Sequence, residues 1–540
     1  MKASSKTLPA ELPEDPAALR NMVASLLDEK RGWADEKQTL ADENRRLQRH
    51  ADWLLEQLNI QFAKRFGRSS EKSAPGQLGL FDEAEEIDAS TPEEEESPGE
   101  ETASVAPKSK PKPKGRKPLP EWLPRKDVVH ELPESERICA LDGSVLTEIG
   151  REQTELLDII PAKFQVIRHI HVKYGCPCCR RGVKSAPKAN RPLPKALATA
   201  ALLAHVAVSK YADGMPLYRQ GAILTRAGFD FSRTTLANWM IRAGILVQPL
   251  INLMRDQLLA YDVIQMDETT VQVLKENGKP ASSNSYMWVQ KGGPVEGRII
   301  LFDYDASRSG LVPKALLADY EGYLQTDGYD GYLAVAADPG IVHVGCFAHA
   351  RRKFDEAVKA LGKRKKGKPG QAGRGLALIR KLYVIEKELR TAKADAETRF
   401  ETRRARAGPI LAELKAWMEE TQPKVPPKSA LGMALGYLAG QWSRLIRYLD
   451  DGRLEIDNNG VENAIRPFVV GRKGWLFSDS VRGVNSSANL YSLIETAKAN
   501  GLEPFACLRH IFTELPLART VDDFERLLPG NIAPAVLSAD

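Results

Sequence analysis

Long apolar runs are absent from this 540-residue sequence: no stretch approaches the ~18–20 uninterrupted apolar residues that a bilayer-spanning helix needs. The first 15 residues also lack the apolar core of a secretory signal, so export is not indicated. Cysteine is scarce, with six residues, and four of them fall between positions 139 and 179. In a chain expected in the cytoplasm, such clustering favours a metal site over a disulfide framework.

A strong net charge is also missing, but the value of +6 hides an uneven distribution. Residues 82–101 contain eleven acids and no base, so the rest of the chain carries +17. A basic body with an acidic insert suits a protein that binds a polyanion, although many ordinary proteins are equally basic. The length predicts three or more domains.

Residues 15–66 are predicted to form a coiled coil, because apolar residues recur every seven positions. Lys30, Lys37 and Gly32 weaken the seam, and an amphipathic helix packed on its own domain is the alternative. The strict repeat favours self-association. The d positions are Leu19, Leu26, Trp33, Leu40, Leu47 and Leu54, and Asn44 is a polar a residue.

Residues 67–127 are predicted to be a disordered linker, acidic at first and then basic. Its basic part, residues 108–117, places six bases among prolines, a composition that cannot bury a core. The basic half could lie along phosphates, but a solvated tether is the favoured interpretation.

Residues 128–190 are predicted to form a small zinc-finger-like module with a strand-like run at 164–174. Cys176 and Cys179 make one C-x-x-C pair, whereas the opposite pair is Cys139 with Asp142. A carboxylate can ligate zinc, so a Cys-Asp-Cys-Cys site is one prediction, and a finger that has lost its metal is the other. Further residues that could complete the site are Cys178, His130, His169 and His171.

Residues 191–255 have a helical pattern that includes a helix-turn-helix arrangement. The first helix is predicted over 216–227 and the second over 232–244, with Ser232 as its N-cap. The first turns of the second helix would read base edges through Arg233, Thr234, Thr235 and Asn238. Paired short helices also occur in many proteins that never bind DNA.

From Tyr261 onward, short apolar strands predict a mixed sheet in an α/β domain formed by residues 256–354 and 451–500. Asp267 would lie within one strand and Asp327 at the end of a neighbouring one. Two carboxylates held close together repel unless a divalent cation neutralises them, so they form a natural Mg²⁺ site. Spacing alone cannot exclude rival acids, namely Glu268, Asp303, Asp305, Asp330 and Asp457.

Residues 355–450 are predicted to be a helical insertion, and residues 501–540 a C-terminal helical tail. Between them, Glu462 lies on a helix that residues 457–459 open. Arg466, Arg472 and Lys473 follow on that helix. A carboxylate with bases on the same surface suits a metal site that faces a phosphate backbone.

Several long motifs resemble one known family. MDET at 266–269, LQTDGYDGY at 324–332, CFAHARRKF at 346–354 and DNNGVENAIRPFVVGRKGWLF at 457–477 closely resemble transposases of the insertion-sequence 66 family. FGRSSEK at 66–72, SKYADGMPLYRQ at 209–220, SRTTLANW at 232–239 and NGLEPFACLRH at 500–510 match in the same order. The resemblance covers nearly the whole chain.

The resemblance implies a ribonuclease-H-like domain whose Asp, Asp, Glu triad is Asp267, Asp327 and Glu462. It also implies Mg²⁺ or Mn²⁺, a structural Zn²⁺ in the finger-like module, element ends and target DNA as partners, and nucleoid association. Small accessory proteins could be further partners. We expect two divalent ions, one held by Asp267 and Asp327 and the second by Glu462 with one of these aspartates, to support strand cleavage, after which the freed 3′-hydroxyl attacks target DNA. Expected phosphate contacts are His349, Arg351, Arg352, Arg466, Arg472 and Lys473, with His349 also a candidate for proton transfer.

Two departures from the family pattern stand out. Asn463 follows the glutamate where the family commonly has arginine, and Asp142 replaces a cysteine. Neither affects the triad. The rival hypotheses are a nuclease of the same fold without strand transfer, and a non-catalytic DNA-binding regulator.

Overall fold

The structure, a computed structural model, describes residues 15–66, 164–175, 183–186, 190–360 and 370–537. The chain divides into two compact units, one made of Met1–Thr91 with Asn190–Asp540 and the other of Pro92–Ala189. Within the described part of the chain, none of the helices is long and apolar enough to cross a membrane.

The described part of the 92–189 unit contains a short antiparallel hairpin. Strand β1 (Lys173–Gly175) pairs with strand β2 (Val183–Ser185), with Tyr174 opposite Lys184. The strand-like run predicted over 164–174 is therefore a paired strand only from Lys173 onward. His169 and His171 are exposed, with ring centroids 6.4 Å apart. The linker prediction and the predicted ligands Cys139, Asp142, Cys176, Cys178, Cys179 and His130 lie outside the described residues.

Helix α1 (Pro16–Phe66) runs for 51 residues, which confirms a long helix in the region of the seven-residue repeat. Each d position is exposed, from 39% at Leu19 to 76% at Trp33. The apolar seam is therefore open at these described positions, and pairing into a coiled coil stays a prediction.

Four helices lie between residue 190 and the sheet, and two of them lie where the helix-turn-helix was predicted. The four are α2 (Ala200–Tyr211), α3 (Leu217–Arg226), α4 (Arg233–Leu246) and α5 (Gln248–Leu259). Ser232 caps α4 by accepting a hydrogen bond from the Thr235 N–H at 3.1 Å. Gly228, with φ +92°, provides the left-handed residue between α3 and α4. Both helices are confirmed within about two residues.

A mixed sheet follows, as predicted. Its strands are β3 (Val263–Lys275), β4 (Asn284–Gly292), β5 (Ile299–Asp305), β6 (Gly322–Gln325) and β7 (Ile341–Val344). Their order is β5-β4-β3-β6-β7, antiparallel from β5 to β3 and parallel from β3 to β7. The three antiparallel strands form a meander, and the short helices α6 (Leu311–Leu316) and α7 (Leu333–Ala336) follow β5 and β6.

The remaining helices complete two apolar cores. The elements are α8 (Phe347–Ala360), α9 (Gln371–Thr391), α10 (Ala396–Thr402), a π-helical turn (Arg403–Ala407), α11 (Gly408–Thr421), α12 (Ala430–Leu445), α13 (Asn459–Trp475), β8 (Ser478–Ser480, parallel to the end of β3), α14 (Val481–Ala499), α15 (Pro504–Glu514), α16 (Val521–Arg526) and α17 (Pro534–Leu537). One core joins the sheet to α2–α5 and α13–α15. The other joins α8, α9, α11 and α12 to the residues that precede α13. Because Val344 and Phe347 belong to this second core, the predicted insertion packs directly on sheet-domain elements.

Helix α14 connects the edge of the sheet to α4. The hydroxyls of Ser492 and Thr496 accept hydrogen bonds from the N–H groups of Phe302 and Ile300 on edge strand β5, at 2.8 and 3.0 Å. These contacts satisfy main-chain donors that an edge strand leaves unpaired. On the α4 side, a Cβ at Gly244 would lie 2.5 Å from the Ser486 side chain, so only glycine permits this close approach.

Candidate active site

Two buried glutamines join the central strands at the candidate site. Gln265 on β3 and Gln325 on β6 are register partners, and Gln265 Nε2 donates to Gln325 Oε1 at 3.0 Å. Asp267 and Asp327 each lie two residues farther along the chain. Because side chains alternate along a strand, Asp267 shares a face with Gln265, and Asp327 follows just beyond the end of β6. Asp267 thus lies on β3, and Asp327 lies two residues past the carboxyl end of the neighbouring parallel strand.

The segment that leads to Glu462 is hydrogen-bonded to the same strands. Gln325 Nε2 donates to the Glu455 carbonyl at 2.7 Å, and Asn458 Nδ2 donates to the Met266 carbonyl at 2.9 Å. A Cβ at Gly460 would lie 2.2 Å from Gln265 Oε1, so the helix start approaches β3 closely. These contacts place Glu462, in the first turn of α13, beside the first half of β3 and the carboxyl end of β6.

The junction of β7 and α8 holds the other side of this segment. The Phe347 N–H donates to the Ile456 carbonyl at 3.1 Å, and the Asn458 N–H donates to Cys346 Sγ at 3.2 Å. Asn458 and Cys346 are both buried. The start of α13 is therefore held by β3, β6 and the start of α8 together.

The three predicted catalytic acids share one electrostatic environment. Burial and the charges of Glu268, Glu462 and Asp327 hold the pKa of Asp267 well above its usual value. Burial raises the pKa of Glu462 to about 7, with Asp457 and Asp327 also raising it and Arg352 and Arg466 opposing the shift. Such mutual repulsion is what a bound divalent cation relieves.

The orphaned oxygen of Glu462 also fits a cation. Glu462 is 3% exposed, and its Oε1 has no hydrogen-bond partner among the residues that the structure describes. Asp267 Oδ1 accepts from the Glu268 N–H and Asp327 Oδ1 from the Tyr329 N–H, both at 2.9 Å, which orients the two carboxylates. Carboxylate oxygens are the ligands that Mg²⁺ prefers, so this donor set suits that ion.

A tighter ligand group lies beside the acids. Among the described residues, the one group of His, Cys, Asp or Glu ligand atoms that all lie within 4.8 Å of one another is Cys346, His349 and Glu462. Asp267 and Asp327 are not part of this group. His349 Nδ1 lies 3.8 Å from Glu462 Oε1, and burial lowers the pKa of His349 while the charge of Asp327 raises it.

Most of the rival acids have structural partners. Glu268 is bound by Arg308 at 2.6 Å and by the Tyr332 hydroxyl at 2.5 Å. Asp303 is bound by Arg255 at 2.6 Å and Gln290 at 2.7 Å. The other rivals are Asp305, which accepts from the Ser307 N–H, Asp457, which accepts from the Asn459 N–H, and Asp330, which is exposed.

The basic residues predicted to contact phosphates are exposed to different degrees. Arg352 and Lys473 are exposed, and Arg466 and His349 are partly buried. Arg472 is partly buried and donates to the Thr270 hydroxyl at 3.0 Å. Arg351 is buried, with its guanidinium 5.3 Å from the centre of the Tyr383 ring, so it packs into the helical core rather than facing solvent. On α4, the side chains of Arg233, Thr234 and Asn238 are exposed, as is Asn463 on α13.

Gln265, Gln325 and Cys346 were not predicted as site residues. The glutamines had a detectable signal, because Gln-x-Asp occurs at both 265–267 and 325–327. Cys346 had none, since its relation to Glu462 depends on how the chain folds.

Sequence comparisons point to one family along the chain. The family model described as Transposase IS66 family matches residues 195–486, more than half of the chain. Three further models match other segments: Transposase C of IS166 homeodomain at 53–128, zinc-finger binding domain of transposase IS66 at 136–180, and IS66 C-terminal element at 492–529.

Among curated proteins, relatives occur in Sinorhizobium fredii (strain NBRC 101917 / NGR234). The uncharacterized protein y4jD is 36% identical over 433 residues, covering 76% of this chain and 81% of the relative. The uncharacterized protein y4qI is 33% identical over 444 residues, covering 80% of each chain.

Proposed function

The chain belongs to the IS66 family of transposases, and from this premise we propose that Asp267, Asp327 and Glu462 are its catalytic acids. In this proposal the protein binds the ends of an insertion element, cleaves DNA strands there and joins the 3′-hydroxyl to target DNA. The catalytic domain is ribonuclease-H-like and consists of residues 256–354 and 451–500. Residues 355–450 are its helical insertion.

The observation that carries this proposal is the hydrogen-bonded glutamine pair. Gln265 and Gln325 align β3 with β6 two residues before each aspartate, and Gln325 also binds the segment that leads to Glu462. This pairing supports a shared site for the three acids, although Asp267 and Glu462 lie 60 and 135 positions from Asp327 in the sequence. Rigid strands and a helix start provide the preorganisation that metal-dependent phosphoryl transfer requires.

The acids would hold Mg²⁺ or Mn²⁺, which when bound would neutralise them, polarise the scissile phosphate and lower the pKa of an attacking water. The protein's own part is to orient Asp267 and Asp327 through their main-chain hydrogen bonds. The buried setting of Glu462 excludes water from its unpartnered oxygen. Both effects strengthen electrostatic contacts to a phosphate.

DNA contacts are proposed on two surfaces of the same unit. The exposed first turns of α4 would read base edges through Arg233, Thr234 and Asn238. Around the acids, exposed cations would form charge-assisted hydrogen bonds to phosphates. These residues are Arg352 and Lys473, together with the partly buried His349, Arg466 and Arg472.

Further proposed features belong to the N-terminal half. We propose that zinc is bound in the module at 128–190 by Cys139, Asp142, Cys176 and Cys179. We also propose that helix α1 mediates self-association. Small accessory proteins remain proposed partners, and DNA binding would bring the protein to the nucleoid.

The test is strand transfer by purified protein with Mg²⁺ and labelled element ends. Asp267→Asn, Asp327→Asn and Glu462→Gln should each lower the rate of joining about 10³-fold or more, because catalytic groups that act together each account for most of the rate. Asp479→Asn is the matched control, because Asp479 is an exposed acid paired with Lys275. If the three variants join DNA as well as the control does, the assignment is wrong. Cleavage without joining by the wild type would indicate a nuclease.

A further inference from the structure

A second type of ligand set overlaps the proposed catalytic acids. Cys346 immediately precedes α8, His349 lies in its first turn, and Glu462 lies in the first turn of α13. One ligand atom from each residue lies within 4.8 Å of the other two. Cys346 is 1% exposed and Glu462 is 3% exposed, whereas the His349 side chain is 25% exposed, so the group is open to solvent only on the His349 side.

Two of the three ligand atoms lack hydrogen-bond partners among the described residues. His349 Nδ1 and Glu462 Oε1 are buried without a hydrogen bond, and the 3.8 Å between them is too long for one. Buried polar atoms are ordinarily paired, so two orphaned atoms that converge on a sulfur atom point to a missing ligand. The Asn458 N–H donates to Cys346 Sγ, but burial and the charges of Glu462 and Asp457 hold the pKa of the Cys346 thiol well above its usual value, so the thiolate would form only with a cation bound.

The chemistry of these donors differs from that of the aspartates. Thiolate, imidazole and carboxylate suit Zn²⁺ and similar transition metals, whereas Mg²⁺ takes oxygen ligands. Around tetrahedral zinc such ligand atoms lie about 3.5 Å apart, so a contraction of about an ångström would close the present group. Three protein ligands leave a fourth position open to water.

We propose that Cys346, His349 and Glu462 form a binding site for a zinc-class divalent cation that shares Glu462 with the proposed catalytic acids. Closing the ligand group around such an ion would draw Glu462 Oε1 toward Cys346 and His349, and the positive charge of that ion would weaken the attraction between Glu462 and Mg²⁺. The site is thus inhibitory. Its effect on activity rests on the proposed function, but metal binding by the three residues does not.

The binding test uses the full chain, freed of metal, and Cd²⁺ as the probe, because Cd²⁺ bound to thiolate absorbs in the ultraviolet. Cys346→Ser should lower bound Cd²⁺ by one ion per chain and remove part of the absorbance. Cys507→Ser is the matched control, since Cys507 is also a buried free cysteine but lies on α15. Cysteines of the finger-like module contribute equally to all variants and cancel in the difference.

His349→Ala provides a second variant and should lower the affinity for this Cd²⁺ ion at least about tenfold. It also keeps the proposal testable if Cys346→Ser fails to fold, which circular dichroism would reveal. Asp267→Asn should retain the ion, because Asp267 lies outside the group. Equal Cd²⁺ stoichiometry and absorbance in wild type, Cys346→Ser and His349→Ala would overturn the proposal.

The inhibition test follows strand transfer in Mg²⁺ while Zn²⁺ is added. The Zn²⁺ concentration for half inhibition should rise at least about tenfold in Cys346→Ser and stay unchanged in Cys507→Ser. An equal response of both variants would overturn the inhibitory role. Failure of the catalytic assignment would appear separately, as joining that survives in Asp267→Asn while the Cd²⁺ readout is unaffected.

Discussion

Arg403 forms a fully buried ion pair with Glu386, its Nε and Nη2 donating to the two carboxylate oxygens at 2.8 and 2.7 Å. Its Nη1 lies within hydrogen-bonding distance of the carbonyls of Tyr448, Asp451 and Gly452. Arg403 begins the π-helical turn of the insertion, and residues 448–452 lead toward Glu462. The insertion therefore braces the segment that positions the third acid.

We predict that Arg403→Met destabilises the protein by about 3–5 kcal/mol, because Glu386 and three carbonyls lose their buried partner. Urea unfolding measures the change. Arg406→Met is the matched control, since Arg406 pairs with Glu388 at 2.7 Å in the same insertion but both side chains are about half exposed. That control should change stability by less than about 1 kcal/mol. Similar losses in the two variants would contradict a special role for Arg403.

Gln325→Leu should reduce strand transfer about 10²-fold while the protein remains folded, because both its contacts to Gln265 and to the Glu455 carbonyl are lost and the acids shift. Joining rates and thermal melting measure the two effects. Gln290→Leu is the control, since Gln290 is equally buried on β4 but binds Asp303. Gln290→Leu should lower the melting temperature without a comparable loss of the joining rate. An equal loss of the joining rate in both variants would contradict a positioning role for the Gln265–Gln325 pair.

Gly460→Ala should displace Gln265, because the added Cβ would lie 2.2 Å from Gln265 Oε1 and 2.5 Å from Lys291 Nζ. We expect a stability loss of about 1–3 kcal/mol together with slower joining. Gly436→Ala on α12 meets nothing within 4 Å and should stabilise by up to about 1 kcal/mol. Unfolding by urea and the joining assay distinguish the two, and wild-type behaviour of Gly460→Ala would refute close packing here.

Metal-free protein should lose stability as the pH rises from about 4.5 toward 7. The folded pKa of Glu462, about 7, lies above its value of 4.5 in the unfolded chain, so the unfolded state ionises first and gains stability over this range. The loss could reach roughly 3 kcal/mol from this residue. Melting temperatures across pH should show a flatter profile for Glu462→Gln, and added Mg²⁺ should stabilise the wild type at pH 7 more than this variant. Identical profiles would contradict the assigned pKa.

Replacing Leu40 and Leu47 on α1 by Asp should dissociate an oligomer, because charges in a coiled-coil seam block its burial. Light scattering after size-exclusion chromatography gives the mass. Gln38→Asp with Thr39→Asp, at exposed positions outside the seam, should leave the mass unchanged. An unaltered mass after replacement of Leu40 and Leu47 by Asp would contradict the coiled-coil prediction.

Local patterns predicted the secondary structure well. The seven-residue repeat indicated α1, the Ser232 cap indicated α4, and the apolar strands indicated the meander of β3, β4 and β5. Each of these depends on residues close together in the sequence. The burial of Arg351 was not predicted, because its ring partner Tyr383 lies in the insertion.

Long-range relations in the site were less predictable. Gln-x-Asp occurs twice, but only the parallel pairing of β3 and β6 shows that the two glutamines meet. Cys346 and Glu462 are 116 positions apart, and no local period relates them. The Arg403–Glu386 pair likewise joins separate helices of the insertion.

The attachment of α14 to both β5 and α4 has a consequence for how such an enzyme would measure DNA. If α4 reads the element's end, its contact surface and the acids belong to one compact unit, in which α14 contacts both α4 and the sheet. The number of base pairs from the recognised sequence to the cleaved bond would then be a property of the protein's own dimensions, the same at every end it processes.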